Sequence, residues 1–334
     1  MSKYRVKYKK ITEVLPEIKE HIVMRDYNTF HVGGVADYFY EARSTNDLVR
    51  AVRLAVEYQI PYFILGNGSN ILFSDFGYPG LVIKNLSASI AVMKEKSQII
   101  AESGAMLGRV IMEAVANDLS GLEFLYGIPG TVGGALYGNA GAYGYSIGDY
   151  IKNITLLIID PKDDISQSMQ IVQYDGTWMD FGYRVSKLKK IKSKTKPVIL
   201  SIKLQLAQNQ KEDIMRKLNH FKKMRAKTQP IGFSAGCIFK NPIPKELKNI
   251  TGRGTHGMPE LPKERRAGFM LDQAGTKKLH AGEAEVSNIH ANFIINKANA
   301  SASDIRNLIE EMREKVLQKF SVTLEEEIEY IGQW

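Results

Sequence analysis

The sequence predicts an α/β protein with mixed helix and strand content, divided into two or three domains. The chain has 334 residues, which is more than a single hydrophobic core usually holds. Strand-like and helix-like segments alternate over residues 35–73, in the order typical of an α/β unit. Near the C terminus, a helical stripe over residues 303–320 is followed by a charged, strand-like segment. Regions of α/β character therefore lie at both ends of the chain.

Hydrophobic periodicity and helix start signals locate the individual elements. Residues 44–58 are predicted as a helix, because Ser44 can cap it and Asp47 stands three positions later, as in a capping box. Residues 1–27 are expected to form an N-terminal helix or arm. The other predicted helices are 106–117, 210–228 and 303–320. The predicted strands are 35–42, 62–65, 71–73, 81–84, 98–104, 151–159, 168–174 and 197–206.

The amino-acid composition limits which class of protein this is and which kinds of functional site it can contain. The chain is 44% hydrophobic and 24% charged, as expected of a soluble globular protein. Its net charge of +9 favours anionic partners such as nucleotides or phosphorylated substrates. The chain has a single cysteine, which excludes an internal disulfide. Its six histidines are scattered and the sequence has no HExxH or paired CxxC pattern, so we expect no metal site. No apolar run approaches the roughly 18 residues of a membrane helix, so we expect no signal peptide and no membrane partner.

Residues 187–196 carry six lysines in ten residues. A solvated loop is the simplest interpretation of such a run. A nucleic-acid surface is the alternative, but the segment lacks the interleaved aromatic side chains of single-strand binding. We therefore expect no nucleic-acid partner.

The most informative stretch is GLEFLYGIPGTVGGALYGNAGAYG at 121–144, within a region where eight glycines fall between Gly127 and Gly148. Glycine is costly to order, so this density indicates backbone pressed close to a flat or anionic ligand. The stretch has no Lys or Arg, so an anion would be held mainly by backbone N–H groups. A glycine-rich structural turn is the alternative. The turn GNGSN at 66–70 also suits a diphosphate, although a plain hairpin explains it equally well.

Three other segments carry reactive or charged side chains. Cys237, in SAGCIFKNP, can donate a proton near neutral pH, although most lone cysteines are small buried hydrophobes. Arg184, in FGYRVS, is either a surface arginine or a cation facing a carboxylate or a developing enolate. Strand alternation places Glu325, Glu327 and Glu329 on one face of the last segment. That face is either solvated or holds a carboxyl of raised pKa that can act as an acid.

Together these segments resemble the UDP-N-acetylenolpyruvoylglucosamine reductase family. They occur in the family's order and cover nearly the whole chain. The long glycine-rich run is highly specific, whereas GNGSN alone is not. The matching segments are NTFHVGGVADYF (28–39), LGNGSNILFSD (65–75), GLEFLYGIPGTVGGALYGNAGAYG (121–144), FGYRVS (181–186), SAGCIFKNP (234–242), AGFMLDQAG (267–275), GEAEVSNIHANFIIN (282–296) and LEEEIEYIG (324–332).

The resemblance implies an FAD-binding fold of the vanillyl-alcohol-oxidase (PCMH) type with two α/β subdomains, and a third α/β domain that covers the substrate. It implies the shorter subtype of the family, because no insertion with a substrate-binding tyrosine stands between 184 and 197. The implied division is an N-terminal arm (1–27), FAD-binding subdomains (28–90 and 91–209), a substrate-binding domain (210–320) and a C-terminal strand with a catalytic glutamate (321–334).

The resemblance also implies a reaction in peptidoglycan precursor synthesis. NADPH reduces non-covalently bound FAD, and hydride then passes to UDP-N-acetylglucosamine enolpyruvate to give UDP-N-acetylmuramate. In the implied roles, Arg184 stabilises an enolate, Glu327 assists as an acid and position 237 donates the proton. The family's usual serine is Cys237 here, so we expect retained activity with altered pH dependence and sensitivity to alkylating agents.

Binding residues follow from the resemblance combined with side-chain chemistry. The FAD contacts are expected at Gly66, Asn67, Gly68, Ser69 and Asn70 for the diphosphate, and at Gly130, Thr131, Gly133 and Asn139. Lys240, Asn241 and His290 are candidates for contacts with the UDP-sugar, and a core histidine is an equally good interpretation of His290. Residues 244–266 form either a surface loop or a substrate lid. The resemblance implies a bacterial cytoplasmic enzyme, and we expect a monomer.

Two other functions are compatible with parts of the sequence. Another FAD-dependent oxidase or dehydrogenase of the same superfold would use the same FAD loops, but it would not need the motifs at 234–242 and 324–332. A non-enzymatic basic protein that binds nucleotides or nucleic acid would account for the net charge and for the lysines at 187–196.

Overall fold

The computed structural model describes residues 11–159, 169–193, 195–243 and 261–334. The loop or lid expected at 244–266 lies outside these ranges except for residues 261–266. Within the described ranges, no helix is long and apolar enough to cross a membrane.

Short strands and helices alternate through these ranges. The strands are β1 (Lys19–Val23), β2 (Val35–Ala42), β3 (Tyr62–Leu65), β4 (Ile71–Phe73), β5 (Tyr78–Asn85), β6 (Ile90–Met93), β7 (Gln98–Glu102), β8 (Leu119–Ser120), β9 (Gly141–Ala142), β10 (Tyr145–Ser146), β11 (Ile151–Ile159), β12 (Met169–Asp175), β13 (Val198–Gln205), β14 (Ala207–Gln208), β15 (His280–Ala281), β16 (Ala284–Val286), β17 (Ile294–Asn296) and β18 (Glu329–Ile331). The α-helices are α1 (Thr45–Glu57), α2 (Leu107–Ala116), α3 (Val132–Tyr137), α4 (Lys187–Lys190), α5 (Lys211–Thr228), α6 (Ala267–Gln273) and α7 (Ala302–Phe320). Residues 11–14 are also helical.

The first sheet is mixed and has the strand order β1-β2-β5-β3. β2 and β3 both run parallel to β5, and β1 pairs antiparallel with β2. α1 connects β2 to β3 and buries Leu48 and Val52 against Leu81 and Ile83 of β5. The strand–helix–strand unit predicted from the sequence is confirmed. The predicted capping box of α1 is confirmed as well, since the Ser44 hydroxyl accepts from the Asp47 N–H at 3.1 Å.

The second sheet is antiparallel and has the order β12-β11-β13-β7-β6. α2 and α3 pack on it and bury Val110 and Leu136 in a core shared with Ile154 and Ile202. α3 begins inside the glycine-rich stretch, and the Thr131 hydroxyl caps it by accepting from the Gly134 N–H at 3.3 Å. The glycine-rich stretch is therefore a loop followed by a short, buried helix.

A third core lies in the C-terminal part of the chain. It combines the three-stranded sheet β15-β16-β17 with α6 and α7, and α7 contributes Ile305, Leu308 and Met312. β18 leaves this core and pairs in parallel with β4. Because β3 pairs with β5 while β4 pairs with β18, the turn at 66–70 is not a hairpin.

Both ends of the chain differ from the sequence-based expectation. The arm expected at 1–27 contains β1, which extends the first sheet. The strand expected at 321–334 covers only Glu329–Ile331, because the residues before it pair elsewhere. Glu327 N–H donates to the Ile238 carbonyl at 2.7 Å, and Lys240 N–H donates to the Glu325 carbonyl at 2.8 Å. The C-terminal segment thus bonds first to residues 238–240 and then to β4.

Of the three glutamates predicted to share a face, Glu327 and Glu329 are largely buried, whereas 75% of the Glu325 side chain is exposed. Each forms an ion pair with a different cation; the pairs are Glu325–Lys240, Glu327–Arg184 and Glu329–Lys189.

The lysine-rich segment 187–196 is only partly the solvated loop expected from the sequence. Lys187–Lys190 form α4, whereas Lys190, Lys192 and Ser193 are exposed. The Lys187 ammonium lies 4.2 Å from the centre of the Trp178 ring, and Lys196 Nζ donates to the Tyr137 hydroxyl at 3.0 Å. These two contacts hold both ends of the segment against side chains that pack on the second core.

Asp75 connects the first part of the chain to the third core, and its removal should destabilise the protein. Its carboxylate follows β4 and accepts from the N–H groups of Ala302 at 2.8 Å and Ser303 at 2.9 Å, at the start of α7. Such a carboxylate satisfies free helix donors and interacts favourably with the helix dipole. We expect Asp75→Ala to lower the free energy of unfolding by about 1–2 kcal/mol, measured by urea denaturation.

The matched control is Glu311→Ala, which removes a carboxylate of α7 whose ion pair with Lys315 is exposed to solvent. That variant should change the free energy of unfolding by less than about 0.5 kcal/mol. Equal losses in the two variants would show that Asp75 is no more than another surface carboxylate.

Candidate active site

A cavity of about 400 Å³ opens between the turn at residues 183–184 and the C-terminal part of the chain. Arg184, Cys237 and Glu327 all line it, so the structure brings together the three residues predicted to be catalytic. Their chemical roles stay predictions. The cavity is further lined by Tyr183, Phe239, Asn241, Lys263, Arg266, Gly268, Phe269, Asp272, Gln273, Lys277, Ile289, His290, Ala291 and Asn292.

Arg184 reaches the cavity from a strained turn after the second sheet. Its φ is +55°, an uncommon backbone conformation for a residue other than glycine. Gly182 and Val185 hold the turn by exchanging backbone hydrogen bonds of 3.0 and 3.2 Å. Strain of this kind persists where the surroundings over-determine the conformation, and it occurs preferentially at functional sites.

Glu327 holds the Arg184 side chain. Arg184 Nε lies 2.6 Å from Glu327 Oε1, and about a fifth of each side chain is exposed. Burial acts to lower the pKa of Arg184, but the Glu327 carboxylate and the neighbouring Tyr183 more than offset it, so that the pKa is raised. The guanidinium therefore stays charged. The backbone of Glu327 is fixed too, since its carbonyl accepts from Asn70 Nδ2 at 3.1 Å.

Cys237 lies beside this ion pair and keeps its proton. Burial raises the pKa of the thiol to about 12, with a further contribution from Glu327, while Arg184 and Arg225 act in the opposite direction. The sequence-based expectation of sensitivity to alkylating agents assumed an ordinary thiol. With this raised pKa little of the thiol is ionised near neutral pH, and because alkylation requires the thiolate, we expect slow alkylation instead.

Two residues at this site had not been predicted as site residues. Tyr183 accepts a hydrogen bond from the Asn241 N–H at 3.3 Å, and burial raises the pKa of its phenol to about 12. Arg225 of α5 lies with its guanidinium 5.8 Å from the centre of the Tyr143 ring, and burial lowers its pKa. Tyr183 directly precedes Arg184 in the FGYRVS motif, whereas Arg225 sits in a basic helix with no local signal.

The two loops expected to hold FAD lie against each other. A Cβ atom at Gly66 would stand 2.5 Å from Thr131 Oγ1, so only glycine permits this approach. Asn67 Nδ2 donates to the Pro129 carbonyl at 2.6 Å and ties the loops together. Lys84, which had also not been predicted, donates from Nζ to the Gly66 carbonyl at 2.6 Å.

The backbone N–H groups of both loops are available for a ligand. At these positions no N–H donates a hydrogen bond to another described residue; the positions are Asn67, Gly68, Ser69, Asn70, Gly130 and Thr131. A set of free amides next to a buried lysine suits an anionic diphosphate. The residues present therefore fit the diphosphate of FAD.

Gly133 and Asn139 have other partners. The Gly133 N–H donates to the Ser103 carbonyl at 2.7 Å, which holds α3 against the second sheet. Asn139 is buried, donates from Nδ2 to the Gly182 carbonyl at 2.9 Å and accepts from the Gly148 N–H at 3.1 Å. It thus supports the Arg184 turn, and a direct FAD contact of either residue stays a prediction.

The candidates for substrate contacts differ in position. Asn241 lines the cavity, and its Oδ1 accepts from the Ala267 N–H at 2.9 Å. His290 lines it too; burial and the nearby Lys277 lower its pKa, so the ring is neutral at pH 7. Lys240 forms an ion pair with Glu325 and is not among the residues that line the cavity.

The other charged groups of the cavity are mostly cationic. Lys263, Arg266 and Lys277 line it, and Lys277 pairs with Asp272 at 3.0 Å. Among the residues that the structure describes, no three His, Cys, Asp or Glu side chains are grouped to hold a metal ion.

Comparison with known proteins places these features in a family. Residues 36–182 match the family model described as FAD binding domain. Residues 229–331 match the model described as UDP-N-acetylenolpyruvoylglucosamine reductase, C-terminal domain. Arg184 lies just after the first match, and Cys237 and Glu327 lie within the second.

Whole proteins show the same relationship. The chain is 35% identical to UDP-N-acetylenolpyruvoylglucosamine reductase of Clostridium novyi, over 97% of this chain and 96% of the relative. It is 33% identical to the reductase of Carboxydothermus hydrogenoformans over the full length of both proteins. The crystal structure of the Thermus caldophilus reductase superposes with a TM-score of 0.73 at 30% identity, covering 94% of this chain and all of that one.

These matches confirm the predicted fold class, an FAD-binding fold joined to a separate C-terminal domain. They cover the chain nearly from end to end, at identities of 30% and above. The chain therefore belongs to the UDP-N-acetylenolpyruvoylglucosamine reductase family.

Proposed function

We propose that the protein reduces UDP-N-acetylglucosamine enolpyruvate to UDP-N-acetylmuramate, with FAD as cofactor and NADPH as the source of electrons. The observation that carries the proposal is the meeting of Arg184, Glu327 and Cys237 in one cavity, where the FAD-binding part of the chain meets the C-terminal domain. We further propose that it acts as a monomer in the bacterial cytoplasm, in peptidoglycan precursor synthesis.

The chain's own residues supply the electrostatic part of the reaction. When bound, FAD supplies the hydride that reaches the terminal carbon of the enolpyruvyl double bond. Negative charge then develops on the substrate, next to its carboxylate. Arg184 faces the cavity as a permanent cation and stabilises this charge, and Glu327 keeps the guanidinium in place.

Cys237 completes the reduction by giving its proton to the carbon that carries the carboxylate. The double bond thereby gains one hydride and one proton, and the thiolate left behind is reprotonated from solvent. A thiol with a pKa raised to about 12 holds its proton at neutral pH until a strong base forms beside it. Arg184 and Arg225 both favour the transient thiolate, since each acts to lower the pKa of Cys237.

The cations that line the cavity suit the UDP part of the substrate. Lys263, Arg266 and Lys277 can pair with a diphosphate. Asn241 and the neutral His290 add hydrogen-bonding groups to the same lining. Direct contacts of Asn241, His290 and Lys240 with the substrate are part of the proposal.

The alternative of another FAD-dependent oxidase or dehydrogenase is less well supported. Such an enzyme would use the FAD loops without needing the motifs at 234–242 and 324–332. The first motif lies inside the match to the family's C-terminal domain at residues 229–331, and so does all of the second except its last residue.

The proposed function predicts two separable changes in the visible spectrum under anaerobic conditions. NADPH should bleach the flavin band of the purified holoenzyme, and UDP-N-acetylglucosamine enolpyruvate should restore it. Bleaching without recovery would point to a different flavin oxidoreductase. A protein that takes up no FAD on reconstitution would contradict the proposal altogether.

Cys237 variants test the proton donor, because they should affect only the second of these changes. Cys237→Ala should slow flavin reoxidation by substrate about 10²–10⁴-fold, the usual contribution of a general acid, and leave reduction by NADPH unchanged. Cys237→Ser should keep measurable turnover, since a hydroxyl can still donate. Stopped-flow spectroscopy follows both half-reactions, and an alanine variant that reoxidises at the wild-type rate would exclude Cys237 as the donor.

The raised pKa of Cys237 predicts low reactivity towards alkylating agents. The protonated thiol, which is the form that donates, predominates at pH values below its pKa of about 12. It is lost only as the pH rises through that value. Between about pH 6 and 10, deprotonation of Cys237 should therefore not reduce activity. Because Cys237 is the sole thiol, its alkylation by iodoacetamide can be followed by mass spectrometry. At pH 8 it should be at least about 100-fold slower than that of glutathione, and a similar rate would contradict the pKa.

A further inference from the structure

Lys189, in the lysine-rich segment, forms a partly buried ion pair with Glu329. Lys189 Nζ lies 2.8 Å from Glu329 Oε1, with 19% of the Lys189 side chain and 29% of the Glu329 side chain exposed. The neighbouring Lys190 makes a different kind of pair with Asp180, in which 51% and 63% of the side chains are exposed. Of these two adjacent pairs in α4, only the first is shielded enough to matter for a nearby ligand.

Glu329 adjoins the loop that we assign to the FAD diphosphate. Its N–H donates to the Asn70 carbonyl at 3.0 Å, and it aligns with Ile71 in the pairing of β18 with β4. Burial raises the pKa of the phenol of Tyr137, the last residue of α3, to about 12, and the nearby Glu329 carboxylate adds to this rise. Lys189 lies 6.0 Å from the centre of the Tyr137 ring. The Lys189–Glu329 pair thus sits where the 66–70 loop and the end of α3 come together.

A carboxylate at this position is unfavourable for a diphosphate unless its charge is balanced. Like charges repel strongly when water is partly excluded, because the effective dielectric constant is lower than in bulk water. The free amides of the 66–70 loop carry only partial charges. The Lys84 ammonium, 2.6 Å from the Gly66 carbonyl, adds one positive charge beside the loop, which is less than the negative charge of a diphosphate. An uncompensated Glu329 would therefore oppose the binding of an anion to the loop.

We propose that Lys189 is a positioning residue for the cofactor, which neutralises Glu329 and thereby lets the 66–70 loop hold the diphosphate of FAD. Lys189 acts through Glu329 and need not touch the ligand. This inference rests on the proposed function only in taking FAD as the ligand of that loop. It gives the lysine-rich segment a role in cofactor affinity rather than in nucleic-acid binding.

The test measures the dissociation constant of FAD from the full-length apoprotein by the change in flavin fluorescence. Lys189→Met should weaken FAD binding at least about tenfold, since it leaves the Glu329 charge unbalanced near the loop. Lys189→Arg, which keeps the charge, should stay within about threefold of wild type. The matched control Lys190→Met, which removes the adjacent lysine from its exposed pair, should stay within about twofold.

Two comparisons separate charge balance from a structural role. The double variant Lys189→Met with Glu329→Gln should recover FAD affinity to within about threefold, because both charges are gone. Glu329→Gln alone should bind FAD at least as tightly as wild type. Riboflavin, which has no phosphate, should show none of these differences. A weakened double variant, a weakened Glu329→Gln variant, or an equal loss for riboflavin would each overturn the proposal.

The outcomes also distinguish this inference from the function on which it rests. A wild-type protein that binds no FAD would contradict the proposed function. A wild-type protein that binds FAD, with Lys189→Met equal to the Lys190→Met control, would contradict only the role of Lys189. If Lys189→Met does not fold, the Glu329→Gln variant still decides, because charge balance predicts that its affinity does not fall.

Discussion

The arrangement of the site depends on the backbone hydrogen bonds of the C-terminal segment. Residues 325–327 bond to residues 238–240 of the C-terminal domain, and Glu329–Ile331 then pair with β4 of the FAD-binding part. Glu327 stands at the change from one partner to the other. The segment therefore fixes how Cys237, Arg184 and the 66–70 loop lie relative to one another. These backbone hydrogen bonds fix the position of Glu327, which a C-terminal tail without them could not do.

The same backbone pairing also determines which cations balance the charges of the segment's glutamates. These glutamates meet cations supplied by different parts of the chain. Glu325, itself exposed, pairs with Lys240, whereas the partly buried pairs are Glu326–Arg313, Glu327–Arg184 and Glu329–Lys189. Removing one partner from a buried pair costs about 3–5 kcal/mol, because the remaining charge is left without compensation. The Arg184 guanidinium, held in an uncommon backbone conformation, thus keeps both its charge and its direction. Such a preorganised cation need not rearrange as negative charge develops on a substrate.

The sequence predicted local elements well and long-range pairings poorly. The capping box at Ser44 and the apolar stripe of α7 are local signals, and both are present in the structure. The partners of β4 and of residues 325–327 lie far away along the chain, and no local pattern encodes them. The same limitation explains why the lysine-rich segment was expected to be solvated. Its contacts with Trp178 and Tyr137 exist only once the second sheet has formed.

The motifs identified residues of the site, but they did not predict the protonation states of those residues. The motifs named Arg184, Cys237 and Glu327, and the fold brings them together. The pKa of Cys237 is raised mainly because the folded chain buries the thiol. The spacing of residues along the sequence does not show which side chains become buried. Arg225 was not predicted because its helix shows only a basic, polar pattern.

The central claim is that Glu327 works by holding Arg184, so that the two act as one unit. A double-mutant cycle tests this most directly, with the rate of flavin reoxidation by substrate measured in single turnovers for Arg184→Met, Glu327→Gln and the double variant. The account predicts that the double variant loses about as much rate as Arg184→Met alone. If the two losses multiply, Glu327 acts independently of Arg184 and the claim is wrong.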